Sequence, residues 1–207
     1  REGVLHELVG RFTAVDARER TVRSMQARYQ VDLAQADRVE AMAVTLLRQV
    51  KSKWQLTDPL GELMLRWAAR LHEIGLDVAH SGYHRHGAYL LENADMPGFA
   101  RDEQLLLARM VRSHRRKLAL DGLDDLRPPW NQLSERLIVV LRLAVLLHRN
   151  RGDGNPPRLT LVPRGRGINA CFRLRSLRNH PLTEADLQQE QGHLKGLGIT
   201  LRLVMAR

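Results

Sequence analysis

Apolar residues recur at every third or fourth position through most of the chain, which is the spacing of an amphipathic helix. Two of the predicted helices begin with a capping pattern, in which Asp16 precedes Glu19 and Asp32 precedes Gln35. A third begins at Asp58, where a proline follows directly. The pattern predicts helices over residues 16–29, 32–54, 58–75, 83–93, 102–117 and 133–149.

The periodicity changes near the segment RGDGNPP, residues 151–157, which combines Gly, Pro and charge and breaks both helices and strands. Beyond it, apolar residues alternate with polar ones, which is typical of strands, and a helix begins near Thr183. The alternating residues are Leu159 and Leu161, then Ile168, Ala170, Phe172 and Leu174, and finally Ile199, Leu201, Leu203 and Met205. We therefore predict a mainly α protein, with a helical domain over 1–150, a linker over 151–157 and a small α+β domain over 158–207.

Composition adds a strong basic balance. The 207 residues include 33 Lys and Arg against 23 Asp and Glu, so the net charge is +10 and an anionic partner is expected. Aromatic residues make up 4%, which counts against binding of single-stranded nucleic acid by stacking and slightly favours a polyanion without bases. No apolar run reaches the roughly 18 residues that span a bilayer. We expect a cytoplasmic protein, with peripheral association at the inner membrane left open.

Three motifs carry candidate chemistry: LHEIG at 71–75, HRHGAYLL at 84–91 and VRSHRRK at 111–117. They resemble the motifs of the HD phosphohydrolase superfamily, whose histidines and aspartates hold a divalent metal that activates water. The corresponding residues here are Gln35, His72, Glu73, His84 and His114. A glutamine and a glutamate replace a histidine and an aspartate, and residues 137–148 contain no carboxylate. We therefore predict a degenerate HD site without metal.

A wider resemblance covers nearly the whole chain. REGVLHEL at the start, the stretch from Arg66 to Phe99, VRSHRRK and LRLAVLLH resemble the C-terminal half of the exopolyphosphatase and guanosine pentaphosphate phosphatase family. The resemblance implies that residues 1–12 end an N-terminal catalytic half with an actin-like fold, which uses Mg²⁺ to remove terminal phosphates from polyphosphate. It also implies a homodimer. We expect no cofactor, no catalytic residue and no hydrolysis in the present chain alone.

The function expected for these residues is to bind inorganic polyphosphate as part of an exopolyphosphatase. The predicted binding residues are Arg112, His114, Arg115, Arg116, Lys117, His84, Arg85, His86, Arg164 and Arg166. Any histidine contact should strengthen as the pH falls through about 6.5, where imidazole ordinarily gains its charge. The alternatives are a guanosine pentaphosphate phosphatase, an autonomous HD metal phosphohydrolase, a nucleic-acid-binding module, and a basic cluster that is only a solvated helix end.

Overall fold

The computed structural model describes residues 17–118, 126–151 and 156–206. These residues are mainly helical with one small sheet, so the predicted fold class is confirmed. A helix over residues 17–28, α1, comes first. The helices that follow are α2 (Leu33–Val50), α3 (Pro59–Leu71), a 3-10 helix (Ile74–Asp77), α4 (Tyr83–Asn93), α5 (Arg101–Ser113) and α6 (Trp130–Leu147). The C-terminal elements are β1 (Leu159–Arg164), β2 (Gly167–Arg173), α7 (Leu174–Arg178), α8 (Pro181–Lys195) and β3 (Leu201–Ala206).

Two of the predicted helix starts are confirmed by their caps. The Asp32 side chain accepts a hydrogen bond from the Gln35 backbone N–H, and the Asp58 side chain accepts one from Leu60. Each cap satisfies a donor that the first turn of a helix leaves without a partner. The third predicted cap, Asp16, and residues 1–12 lie outside the described residues.

Several predicted helix ends are wrong. Helix α2 stops at Val50 instead of reaching Trp54, and α3 stops at Leu71 before the 3-10 helix. Helix α5 stops at Ser113, four residues before Lys117, because Arg116 has a φ of 57°, a left-handed conformation that an α-helix cannot include. The basic residues after Ser113 therefore form a bend directly after the helix end, and the solvated helix end stays an alternative for them.

The sheet has the strand order β1-β2-β3. Strands β1 and β2 form an antiparallel hairpin whose turn includes Gly165 at a φ of 55°, and β3 pairs in parallel with β2 after a connection through α7 and α8. Strands β1 and β2 follow the predicted alternation, while β3 begins at Leu201, after the predicted Ile199, and leaves Met205 exposed. Leu174 also departs from the prediction, because it begins α7 instead of continuing β2.

The sheet packs on the helices. Gln49 of α2 bridges the free edge of β1: its side-chain oxygen accepts from the Leu161 N–H at 2.6 Å and its amide donates to the Leu159 carbonyl at 3.3 Å. Most of the buried apolar side chains of the described residues form one contiguous cluster that runs from Val22 to Leu201. The division into two domains at 151–157 stays a prediction. No helix among the described residues is long and apolar enough to cross a membrane.

Candidate functional site

A cavity of about 720 Å³ opens where the helical part meets α8. It is lined by the start of α2, the residues that follow α3 and α5, the start of α4, the C-terminal half of α6, and α8. The cavity brings together all five residues of the predicted degenerate HD site, which are Gln35, His72, Glu73, His84 and His114. It also includes four of the predicted cations, which are Arg85, Arg115, Arg116 and Lys117.

His72 and His114 are held in the same way at the ends of two helices. His72 follows α3 and its Nδ1 lies 2.6 Å from the Ala69 carbonyl, while His114 follows α5 and its Nδ1 lies 2.5 Å from the Val111 carbonyl. A carbonyl only accepts, so Nδ1 carries the proton in both rings and Nε2 keeps a lone pair. The two rings meet edge to face with centroids 5.4 Å apart.

These histidines are neutral at pH 7. Burial lowers the pKa of His72 and lowers the pKa of His114 well below its usual range. Burial, followed by the charge of Arg115, also lowers the pKa of His84 to about 4. Without a bound anion, the His84 imidazole therefore gains its charge at a much lower pH than the 6.5 at which a histidine contact was expected to strengthen, and that expectation stays a prediction.

The residues at the degenerate HD site do not fit a metal ion. The Gln35 side-chain oxygen accepts from Arg38 at 2.9 Å and its amide donates to the His148 carbonyl at 2.8 Å, so both ends are occupied. One oxygen of Glu73 accepts from Arg151 at 2.6 Å, which places a guanidinium beside the carboxylate. Across the described ranges, no group of three His, Cys, Asp or Glu side chains is arranged to hold a metal.

Seven Arg or Lys side chains and three carboxylates line the cavity, and each carboxylate already has an arginine. The pairs are Glu73 with Arg151 at 2.6 Å, Asp186 with Arg149 at 2.5 Å, and Glu190 with Arg142 at 2.5 Å. The positive charge that remains belongs to four side chains for which the described residues supply no ion-pair partner. These are Arg85, Arg115, Arg116 and Lys117.

We call Arg115, Arg116 and Lys117 the cationic segment. Its conformation is fixed by two contacts with other elements. Arg142 of α6 donates to the carbonyls of Ser113 and Arg116, the latter at 2.8 Å, so a buried guanidinium holds the bend. The Arg115 guanidinium stacks 4.6 Å above the centre of the Tyr83 ring. The segment therefore presents its charges from a bend anchored at both the backbone and a side chain.

The remaining predicted binding residues do not line the cavity. Arg112 and His86 are half-buried elsewhere on α5 and α4. Arg164 and Arg166 are exposed on the β1–β2 hairpin. The polyanion-binding role of these four residues stays a prediction.

Sequence reasoning missed several residues of the cavity. Arg142 carried a usable signal, because a single charge inside the apolar run LIVVLRLAVLLH predicts a buried ion pair. Arg151 carried none, since it lies in the segment interpreted as a linker. The cavity-lining residues not predicted as site residues include His80, Tyr83, Arg142, Arg149, Arg151, Asp186, Gln189, Glu190 and His193.

Known proteins resemble this chain along almost all of its length. The family profile described as Ppx/GppA phosphatase, domain III, matches residues 17–191, which include the predicted linker. A guanosine-5'-triphosphate,3'-diphosphate pyrophosphatase of Vibrio atlanticus is 34% identical over 98% of the chain and 40% of its own length. The proteins of the same name from Pseudoalteromonas translucida and Aeromonas hydrophila are each 34% identical, over 96% and 100% of the chain and 40% and 42% of their lengths. The chain thus spans about two fifths of these relatives, and it belongs to the Ppx/GppA phosphatase family.

Proposed function

We propose that this chain is the C-terminal region of a phosphatase that acts on guanosine 5'-triphosphate 3'-diphosphate, and that its cavity binds phosphate groups of that nucleotide. The names of the relatives support the nucleotide, which was the alternative in the sequence-based prediction, over inorganic polyphosphate. The observation that carries the binding role is the excess of positive charge in the cavity, where four cations lack a carboxylate among the described residues.

The charge arrangement supports recognition of phosphates. The cavity's three carboxylates are neutralised by arginines, so they do not repel an anion as free carboxylates would. The cationic segment is held in one conformation by Arg142 and Tyr83, which reduces the entropy lost when a ligand orders it. A ligand with several phosphates gains from each cation, and its affinity should fall as salt screens these charges.

Inorganic polyphosphate is the second candidate ligand. The same four cations would bind a phosphate chain without a nucleoside, and the sequence resemblance implied this substrate first. Both candidates present several phosphates to these cations, so the cations alone do not separate them.

We also propose that catalysis requires an N-terminal half that uses Mg²⁺, and that the protein works as a cytoplasmic homodimer. The support is the resemblance together with the length of the relatives, of which this chain spans about two fifths. The 207-residue chain should then release no phosphate from the nucleotide or from polyphosphate when Mg²⁺ or Mn²⁺ is added. Turnover that survives repurification and disappears in Glu73→Ala would instead support an autonomous HD phosphohydrolase.

The binding proposal is tested by titrating the chain with guanosine 5'-triphosphate 3'-diphosphate by calorimetry at several salt concentrations. Replacing Arg115, Arg116 and Lys117 together by alanine should weaken binding at least about tenfold and flatten the dependence of log affinity on log salt.

The matched control removes three exposed cations outside the cavity, Arg48, Lys53 and Arg202, and so has the same net charge. It should bind as the unmodified chain does. If the two triple variants lose affinity equally, the attraction comes from the overall charge and the cavity is not the binding site. A further variant without Arg164 and Arg166 tests their predicted role.

A further inference from the structure

Three buried side-chain atoms of cavity-lining residues have no hydrogen-bond partner among the described residues: His72 Nε2, Glu73 Oε2 and His84 Nδ1. The side chains of His72 and Glu73 are 1% and 7% exposed. We call Nε2 of His72 and Oε2 of Glu73 the acceptor pair.

The chemistry of the acceptor pair follows from its neighbours. The proton of His72 is on Nδ1, which donates to Ala69, so Nε2 offers only a lone pair. Glu73 is oriented by Arg151, which donates to Oε1 and leaves Oε2 unused. His72 Nε2 lies 3.8 Å from Glu73 Oε1, and neither atom carries a proton that it could donate to the other.

Leaving acceptors buried without donors is unfavourable, since each gives up its hydrogen bond to water. A ligand that brings N–H or O–H groups to the acceptor pair therefore gains more than one that brings none. Phosphate chains at neutral pH offer acceptors almost exclusively, so they suit the cationic segment and not the acceptor pair. The cavity consequently contains two chemically different sets of groups, the cationic segment and the acceptor pair, which we call its two ends.

A guanine nucleotide matches both ends. The guanine edge carries two adjacent donors, the ring N1–H and the 2-amino group, which suit a carboxylate and a neighbouring lone pair. Adenine has one donor on the equivalent edge, its 6-amino group, beside an acceptor at the ring N1 position that would face the acceptor pair without a proton. The volume of about 720 Å³ is in the range of cavities that hold ligands of nucleotide size.

We propose that the acceptor pair binds the guanine base, with Glu73 and His72 accepting from its N–H groups while the cationic segment binds phosphates of the same nucleotide. This inference rests on the proposed function, because it assigns the nucleoside of that substrate to this cavity. Arg151 is a positioning residue, since it orients Glu73 and need not contact the base.

The test compares ligands of similar charge on the 207-residue chain by calorimetry in EDTA: guanosine, inosine and adenosine 5'-triphosphates, and inorganic tripolyphosphate. Guanosine triphosphate should bind at least about tenfold more tightly than adenosine triphosphate, which offers the acceptor pair one donor instead of two adjacent ones. Inosine triphosphate, which keeps N1–H but lacks the 2-amino group, should be intermediate.

Two sets of variants separate the ends of the cavity. Glu73→Gln keeps the shape but replaces one acceptor by a donor, so it should bring the guanosine-to-adenosine affinity ratio close to one. Tripolyphosphate binding should not weaken, because the variant also frees the charge of Arg151. The triple alanine variant of the cationic segment should weaken all four ligands and leave the ratio as it is. If Glu73→Gln does not fold, as judged by thermal melting, His72→Gln is measured in the same way.

Each outcome decides one of the two proposals. The guanine assignment is overturned if guanosine and adenosine triphosphates bind the unmodified chain with equal affinity. It is also overturned if a folded Glu73→Gln or His72→Gln protein keeps the same guanosine-to-adenosine affinity ratio. In either case, tight tripolyphosphate binding would still support the proposed function. Absence of binding by all four ligands overturns both.

Discussion

Arg142 is 2% exposed and lies in the middle of the most apolar helix of the described residues. Its guanidinium meets both oxygens of Glu190, at 2.5 and 2.7 Å, and donates to the carbonyls of Ser113 and Arg116. Each nitrogen of the guanidinium therefore donates to an oxygen inside the protein, which is the condition for burying an ion. One side chain joins α6, α8 and the bend that carries the cationic segment.

Removing this arginine should be costly because the charge of Glu190 would stay buried without a partner. We expect Arg142→Met to lower the free energy of unfolding by about 3–5 kcal/mol. The control is Arg149→Ala, which breaks the ion pair with Asp186 where the arginine side chain is 60% exposed, and should cost less than about 1 kcal/mol. Urea unfolding monitored by circular dichroism measures both; equal losses would mean that Arg142 does not organise this region.

The buried histidines should make stability depend on pH. Their pKa values are lowered by burial, so between about pH 6.5 and the lower folded pKa the unfolded chain binds protons that the folded chain does not. The contribution of these histidines to the free energy of unfolding should therefore be fully present above pH 6.5. It should fall as the pH decreases, by about 1.4 kcal/mol per pH unit for each such histidine.

The measurement is the free energy of unfolding in urea between pH 7.5 and 5.0, above the range in which most carboxylates titrate. His114→Gln should give a shallower slope than the unmodified chain, since one proton-binding site of the unfolded state is gone. His84, with its pKa of about 4, adds to the slope over the same interval. A free energy that is constant over this range would contradict the assignment of neutral buried imidazoles.

At the scale of elements, the junction between the 3-10 helix and α4 depends on a glycine. A Cβ built on Gly75 would lie 2.0 Å from the Tyr83 carbonyl oxygen and 2.4 Å from the Gly87 nitrogen, and both of these are backbone atoms. Backbone atoms of a packed helix cannot move aside as a side chain can. The glycine of the LHEIG motif therefore allows α4, which carries His84 and Arg85, to approach the end of α3 closely.

Gly75→Ala should lower the free energy of unfolding by at least about 2 kcal/mol, because α4 must move outward to accommodate the methyl group. Gly61→Ala is the matched control: Gly61 lies inside α3, and a Cβ there meets nothing within 4 Å. It should cost nothing and gain up to about 1 kcal/mol from better helix propensity. Chemical denaturation of both variants tests the comparison, and a harmless Gly75→Ala would show that the close approach is not required.

At the scale of the whole molecule, the sheet and the helices share one core. The inner faces of β1 and β2 contribute Leu161, Ile168 and Phe172 to the same cluster of buried side chains as α2, α3 and α6. The Gln49 side chain replaces a neighbouring strand at the edge of β1. The C-terminal elements thus depend on the helical part for both apolar contact and hydrogen bonds.

Residues 157–207 expressed alone should therefore not fold into a stable monomer. About 50 residues bury too little apolar surface for independent stability unless a partner covers the exposed face. Thermal melting followed by circular dichroism, with sedimentation to determine the mass, gives the result. A monomeric fragment with a cooperative transition would contradict this dependence and support the predicted domain boundary.

The sequence alone determined the approximate positions of the longer helices and of the three strands in the described residues, and it missed the short helix α7. Helix caps and hydrophobic periodicity act over a few neighbouring residues, so Asp32, Asp58 and the alternation in β2 could be recognised locally. The motifs likewise identified the family and the five residues of the degenerate HD site, all of which line one cavity.

Only the tertiary structure decided what surrounds those residues. Arg151 lies 78 positions from Glu73, and Arg142 lies 48 from Glu190, so no local pattern connects them. The bend after Ser113 was also out of reach, because the contact that holds it comes from α6. Long-range packing selects such partners by burial and charge matching, and it brought the separate basic and histidine motifs together around one cavity.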